Sequence, residues 1–396
     1  MRLIKPLETW TKDDVEQLVA DRVREDRFLE YKREPYKPKD DQDLCTDASA
    51  FANAAGGHLL LGVDEERDER GKPTGVPVSA PGIRENGDEV VRRVEQVLRN
   101  GSVDPRIPGL RVRAIDGLPD GPVIVIHVPK SWAAPHMVCT SSRFNVRTGA
   151  GNHPMDAQEI REAFLLGAEH ASRPERFRQE RVSATMSGIA PFPVGDRGVV
   201  LLHVGAISAL HQGQLPDITS PLDPTRLLLR PMGTPGSDFR RNFDGFLTFG
   251  TGIGGGRAYA QVFRRGIVEF ASSALLHQQR LRLERVVEDC LDCTTAALGL
   301  LHRAGVERPY FALVTVAGCR GLEVCLDEHR SRIGVHAIDV NNLFVPEVLF
   351  EDQVSVAEVL APAFHQVAQA FGIEQAPGFS ASGDWRAPTP TPWVPA

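Results

Sequence analysis

The run "REDRFLEYKRE", from Arg24 to Glu34, sets Glu25, Glu30 and Lys32 within one short segment. Carboxylate oxygens suit hard divalent cations and an ammonium group suits phosphate, so a metal and phosphate site would account for the crowding. A solvent-facing strand accounts for it as well, because charge on an open face is normal and an exposed Glu30–Lys32 pair contributes only ~0.5 kcal/mol. Spacing alone favours the surface pair. Another acid, Asp64, ends the run "HLLLGVD" ahead of "EERDERGKPTG", a polar turn where side chains are presented rather than buried.

Regular elements must carry these groups. Thr11 and Asp14 form a capping-box pattern, and Val15, Leu18, Val19 and Val23 recur at helical spacing, which predicts a first helix ending near Glu25. In "RFLEYK", Phe28, Glu30 and Lys32 alternate with Leu29 and Tyr31, the period of a strand, so Glu30 and Lys32 point the same way. Leu44, Ala48, Phe51, Ala52 and Ala55 imply a second helix stopped by Gly56-Gly57, and "HLLLGV" follows as a buried strand. A third helix runs through Val90, Val91, Val94, Val97 and Leu98. "GLRVRAI" and "PVIVIHV" read as paired strands, and a helix opens at the Asp156 to Glu159 box.

The chain has 396 residues, 42% hydrophobic and 24% charged, enough for two globular units. The expected division is a first domain at 1–168, a charged connecting helix at 169–190, a second domain at 191–374 and a proline-rich, disordered tail at 375–396. Both domains read as mixed α/β (α+β). A net charge of −7 excludes a uniformly basic binder, so contact with a polyanion must come from a local patch. No apolar run is long enough to span a bilayer, "MRLIKPLETW" is not a signal peptide, and six cysteines are not a disulfide framework. A cytoplasmic protein with no membrane contact is expected.

Two other patterns have cheaper explanations. "GTGIGG", Gly250 to Gly255, matches a dinucleotide fingerprint in form, but the alternating "RAYAQVF" behind it predicts a hairpin rather than the required helix. Cys290 and Cys293 form a CxxC with Cys319 and Cys325 downstream. They share an apolar helical face with Val286, Val287, Leu291 and Ala297, which favours buried thiols over zinc. The sequence contains no Walker motif, HExxH or GxSxG.

Taken together, "EDRFLEYK", "AFANAAGGHLLLGVD" and "HVPKSWAAPHMV…RFNVRTGAG…MDAQEI" resemble the AlbA-2 domain of the Schlafen family over roughly the first 168 residues. Tyr31 stands where phenylalanine is common and Asp26 where serine is common, the latter adding negative charge beside the site. The resemblance implies nucleic-acid binding and, by analogy with members that cleave transfer and ribosomal RNA, an active site of Glu25, Glu30 and Asp64 holding Mg²⁺ or Mn²⁺. Lys32 then faces the scissile phosphate. Other members are described as DNA-binding or ATP-binding, so a non-catalytic DNA- or RNA-binding regulator and an ATP-binding signalling protein stand as alternatives. Arg111, Arg113, Lys130, Arg143 and Arg147 are the candidates for tracking the nucleic-acid backbone, with Arg92 and Arg93 behind them. A homodimer is expected, because one domain supplies half of the two-lobed cradle of longer members.

Overall fold

The computed structural model describes residues 7–385 apart from 150, 196–197, 211–217, 220–228, 253–254, 278, 307, 326–334, 351–354 and 381–384. The chain divides into two units, residues 1–172 and 173–396. Most of the expected proline-rich tail, and two residues of the glycine run at 250–255, lie outside the described residues.

In the first unit, α1 (Lys12–Ala20) precedes β1 (Leu29–Lys32), α2 (Asp41–Asn53), β2 (Gly57–Leu61), β3 (Asp64–Arg67) and β4 (Pro73–Ser79). Then come α3 (Gly87–Arg99), β5 (Val103–Asp104), β6 (Arg111–Ile115), β7 (Val123–Val128), β8 (Met137–Val138), β9 (Arg143–Thr148) and β10 (Gly151–Pro154). One sheet has the order β1-β2-β7-β6, with β1 parallel to β2 and the other pairs antiparallel. A second runs β10-β9-β8-β5, and β3 and β4 form a separate ribbon.

Strand alternation sorts the core into two layers. Leu59, Leu61, Ile124, Ile126 and Val128 pack with Leu44, Ala48 and Phe51 of α2 and Val94 of α3. Leu60, Val123 and Val125 face the opposite way, toward Trp10, Val15 and Leu18. Each fully buried leucine or valine is worth about 1.5–3 kcal/mol, which fixes the register, since a slip of one residue would exchange the two layers. α2 ends because Gly56 takes φ +71°, and a Cβ there would lie 2.4 Å from the Lys130 nitrogen.

Two expectations change. The first helix stops at Ala20, so Glu25 sits in the connection to β1, with its N–H donating to the Gly75 carbonyl at 2.7 Å. The expected connecting helix at 169–190 is not a separate element: the helix that opens after Asp156, α4 (Ala157–Met186), runs on through most of that range and tolerates Pro174.

The second unit is built on an antiparallel path β12-β13-β14-β15-β11-β18-β20, with β21 also on β18. The strands are β11 (Val199–Ala206), β12 (Asp238–Asn242), β13 (Gly245–Thr251), β14 (Arg257–Phe263), β15 (Ile267–Ser272), β18 (Tyr310–Ala317), β20 (Asn342–Phe344) and β21 (Val348–Phe350). A small sheet joins β16 (Leu276–His277), β17 (Arg280–Leu281) and β19 (Glu323–Val324), and α5 (Leu283–Arg303) and α6 (Val356–Gln369) complete the unit. Strands β13 and β14 pair antiparallel on either side of the glycine run, so its described glycines, Gly250, Gly252 and Gly255, belong to a hairpin. Cys290 and Cys293 lie buried on α5, with thiols directed to the Met232 sulfur at 3.8 Å and the Arg230 carbonyl at 3.6 Å. Burial pushes both thiols up, away from the thiolate that zinc requires.

A charged cluster lies under this sheet. Glu269 of β15 is fully buried and accepts from Arg181 at 2.6 and 2.7 Å, from Tyr259 at 2.8 Å and pairs with His203 at 2.9 Å. Burial alone would raise its pKa, but the hydrogen bonds from Arg181 and His203 outweigh that and hold it at about 2. Among the described residues no helix is long and apolar enough to cross a membrane.

Candidate functional site

Strand β1 places Glu30 and Lys32 on one face, as alternation requires, and Lys32 Nζ lies 2.5 Å from Glu30 Oε1. The pair is not a surface pair: Glu30 is only 7% exposed. Its other oxygen receives the Arg147 guanidinium from β9. Arg147 is itself 8% exposed, donates to the carbonyls of Asp26 (3.1 Å) and Leu29 (3.2 Å), and stacks over the Phe51 ring at 4.4 Å. These contacts make the Arg147 guanidinium a clamp between β9 and β1.

Lys32 also approaches Asp47 of α2 at 3.8 Å. Asp47 accepts from the Tyr36 hydroxyl and from Asn152 at 2.5 Å. Burial first, then the neighbouring Glu30, raises its pKa to about 6. Burial would lower the Lys32 pKa, but Glu30 and Asp47 outweigh it, so the ammonium stays charged.

Glu25 accepts the Tyr31 N–H on Oε1 at 2.5 Å. Burial, with Glu65 and Glu30 as neighbouring negative charges, raises its pKa to about 7. The β3–β4 ribbon supplies Glu65, whose carboxylate accepts the Gly75 N–H at 3.0 Å and whose pKa is raised by burial. Gly75 thus bridges Glu25 and Glu65 through its own backbone. It has φ +76°, and a side chain there would press on the Glu25 Cβ at 3.2 Å.

Glu25, Glu30, Lys32 and Glu65 line one cleft of about 260 Å³, together with Arg33 and Asp64. The Asp64 carboxylate faces Arg33 at 3.8 Å, and Arg33 continues to Asp120 at 3.6 Å. The acids that act electrostatically on Glu25 are Glu65, the chain neighbour of Asp64, and Glu30. Among the described residues, no three His, Cys, Asp or Glu side chains stand close enough to share a metal ion. Two carboxylates completed by water and substrate phosphate are nevertheless a common Mg²⁺ arrangement, and Glu25 and Glu65, neither ion-paired among the described residues, have that chemistry.

The remaining cations scatter. Arg111 is paired with Glu8 and Arg113 donates to the Leu7 carbonyl at 2.8 Å, both away from the cleft lining. Arg93 is engaged by Asp41, whereas Lys130 and Arg143 are exposed.

Residues 25–156 match the family described as Schlafen, AlbA_2. The first unit carries a Schlafen AlbA_2 domain. Every residue of the cleft falls inside the matched range, and the match ties this domain to nucleic-acid-related function. No curated protein matches the chain. Among solved structures, the chain is similar to the DIP2311 protein of Corynebacterium diphtheriae, with 20% identity, 38% of this chain, 30% of that chain and a TM-score of 0.26. It is also similar to the N-terminal domain of an ATP-dependent DNA helicase RecG-related protein from Nitrosomonas europaea, with 21% identity, 31% of this chain, 74% of that chain and a TM-score of 0.22. The chain thus spans less than a third of the Corynebacterium protein.

Proposed function

We propose that the AlbA_2 domain binds nucleic acid and that its acidic cleft hydrolyses phosphodiester bonds of RNA with Mg²⁺ or Mn²⁺, structured RNA such as transfer RNA being the substrate class. The observation that carries this reading is Glu25, a carboxyl poised at about 7 in a cleft shared with Glu65 and a charged lysine. Glu25 and Glu65 would hold the cation, which when bound polarises a phosphate oxygen and activates water. The Tyr31 N–H orients the Glu25 carboxyl, and the Gly75 N–H does the same for Glu65. Lys32, steadied between Glu30 and Asp47, meets the negative charge that builds on the phosphate oxygens.

The enclosure of Glu30 by Lys32 and Arg147 favours a second reading, a non-catalytic nucleic-acid-binding regulator whose acids brace the fold. One experiment separates them. Total transfer RNA is incubated with the full chain and Mg²⁺ or Mn²⁺, with an EDTA control and the variants Glu25→Gln, Glu65→Gln, Lys32→Ala and Asp64→Asn. Metal-dependent cleavage, reduced about 100-fold in the first three variants and much less in Asp64→Asn, is the expected result. RNA that is bound in a salt-dependent manner yet left intact with both metals overturns the nuclease and leaves the regulator.

A further inference from the structure

The run "DFRRNFDG" in the second unit forms β12, its turn and the start of β13. Strand β12 is the edge of its sheet, and its residues are largely exposed. Charges on an edge strand discourage pairing with another chain, and the arginines alone would need no further account. The aromatic residues do. Phe243 at the turn is 93% exposed and Phe239 53%, large apolar surfaces left in water on a strand already protected by charge.

The hairpin is ordered before any ligand arrives. Arg264, from the neighbouring β14–β15 turn, donates to the Phe243 carbonyl at 2.9 Å and the Asn242 carbonyl at 3.3 Å, and its own N–H bonds Asp244 at 3.0 Å. Asn242 accepts the Gly245 N–H at 2.8 Å. Phe239 stacks on Phe246 with centroids 5.9 Å apart and planes at 19°, and Arg241 lies over the same ring at 6.0 Å. Phe239 and Arg241 therefore share one face of β12, with Phe243 following at the tip. Residues two apart on a strand are separated by about 6.6 Å, close to the spacing of bases in an extended single strand.

Arg240, Arg241, Arg264 and Arg265 stand against Asp238 and Asp244 in the hairpin and adjoining turn, an excess of positive charge in a chain of net charge −7. Arg240 donates to the Pro191 carbonyl at 3.0 Å and Arg241 to the Thr219 carbonyl at 2.9 Å, and both stay exposed. Braced aromatic faces interleaved with arginine suit bases that stack and a backbone that is neutralised. We propose that the β12–β13 hairpin is a binding surface for single-stranded nucleic acid, with Phe243 and Phe239 stacking on bases and Arg240 and Arg241 contacting phosphate. The ligand class follows the function proposed above, but the surface rests on second-unit residues alone.

The test uses the full chain and fluorescence anisotropy of a labelled oligouridine of about 15 nucleotides over a range of salt. Phe243→Ala should weaken binding roughly tenfold, Phe243→Trp should retain it, and Arg240→Ser with Arg241→Ser should lower the salt slope by about 1.4. Unchanged circular dichroism and melting keep the comparison valid for this exposed turn. Wild-type affinity in Phe243→Ala, or no oligouridine binding by the wild type, overturns the proposal. So does an effect on self-association alone, read by light scattering, which would make the hairpin a contact between copies. Transfer RNA cleavage is measured on the same variants. Silent hairpin variants with cleavage intact refute only this surface, whereas weakened binding with no cleavage in the wild type refutes only the nuclease.

Discussion

Replacing Arg147 by alanine tests whether this residue is a buried clamp or a surface cation. The change removes five described hydrogen bonds, to Glu30, Asn152, the Leu29 carbonyl and twice the Asp26 carbonyl, and strips the cation from the Phe51 ring. It leaves Glu30 buried with only Lys32 opposite. Breaking one partner of a buried ion pair costs about 3–5 kcal/mol, whereas an exposed arginine can be lost for about 0.5 kcal/mol or less. A unit of 172 residues shifts by about 2–4 °C per kcal/mol. Calorimetry should therefore show the transition of the first unit lowered by roughly 10 °C, with that of the second unit unmoved. Arg147→Lys should recover only part of the loss, because an ammonium cannot reach Glu30 and the Asp26 and Leu29 carbonyls in the geometry of the guanidinium fork. The double variant Glu30→Met with Arg147→Met should be more stable than Arg147→Ala, since no lone charge remains. A melting transition within 2 °C of wild type for Arg147→Ala would refute the clamp and restore Arg147 as a candidate phosphate contact.

Two further outcomes follow from the buried acids. Because the Glu25 carboxyl is raised from 4.5 to about 7, the native state holds a proton that the unfolded chain has released, so its contribution to stability is present at low pH and lost as pH rises from about 4.5 to 7. Urea titrations in EDTA should show that decline, and Glu25→Gln should flatten it; an identical pH profile in the variant would exclude Glu25 as its source. Glu269 runs the other way: depressed to about 2, its contribution is present above pH 4.5 and fades as pH falls toward 2. Arg181→Met should lower the stability of the second unit by about 3–5 kcal/mol in chemical denaturation, and a loss below 1 kcal/mol would show that Tyr259 and His203 suffice to hold the charge.

Much of the first unit was legible from periodicity. The alternation at Leu29 to Lys32 and the glycine stop after Asn53 match the structure, and so does the buried strand Gly57–Leu61. Apolar spacing overruns the first helix because Val23 continues it, although Val23 is partly buried in the connection beyond Ala20. Asp47 and Glu65, beside the candidate site, also carry a signal in the sequence. Asp47 interrupts the apolar stripe of α2 between Leu44 and Phe51, and a polar group at such a position must find partners. Glu65 adjoins Asp64 where the register of the β3–β4 ribbon shifts, so both line the cleft, and the polar turn that singles out Asp64 points equally to its neighbour.

By itself the sequence determined the domain class, the elements and which side chains share a face, because these depend on local propensity and on periods of 2 and 3.6 residues. Only the tertiary structure decided the partners. Glu30 and Arg147 lie 117 positions apart and Asn152 reaches Asp47 across 105, distances over which spacing carries no information. Burial and these partners then set the charges: burial with Glu65 and Glu30 nearby pushes Glu25 up to about 7, while hydrogen bonds from Arg181 and His203 hold Glu269 down at about 2.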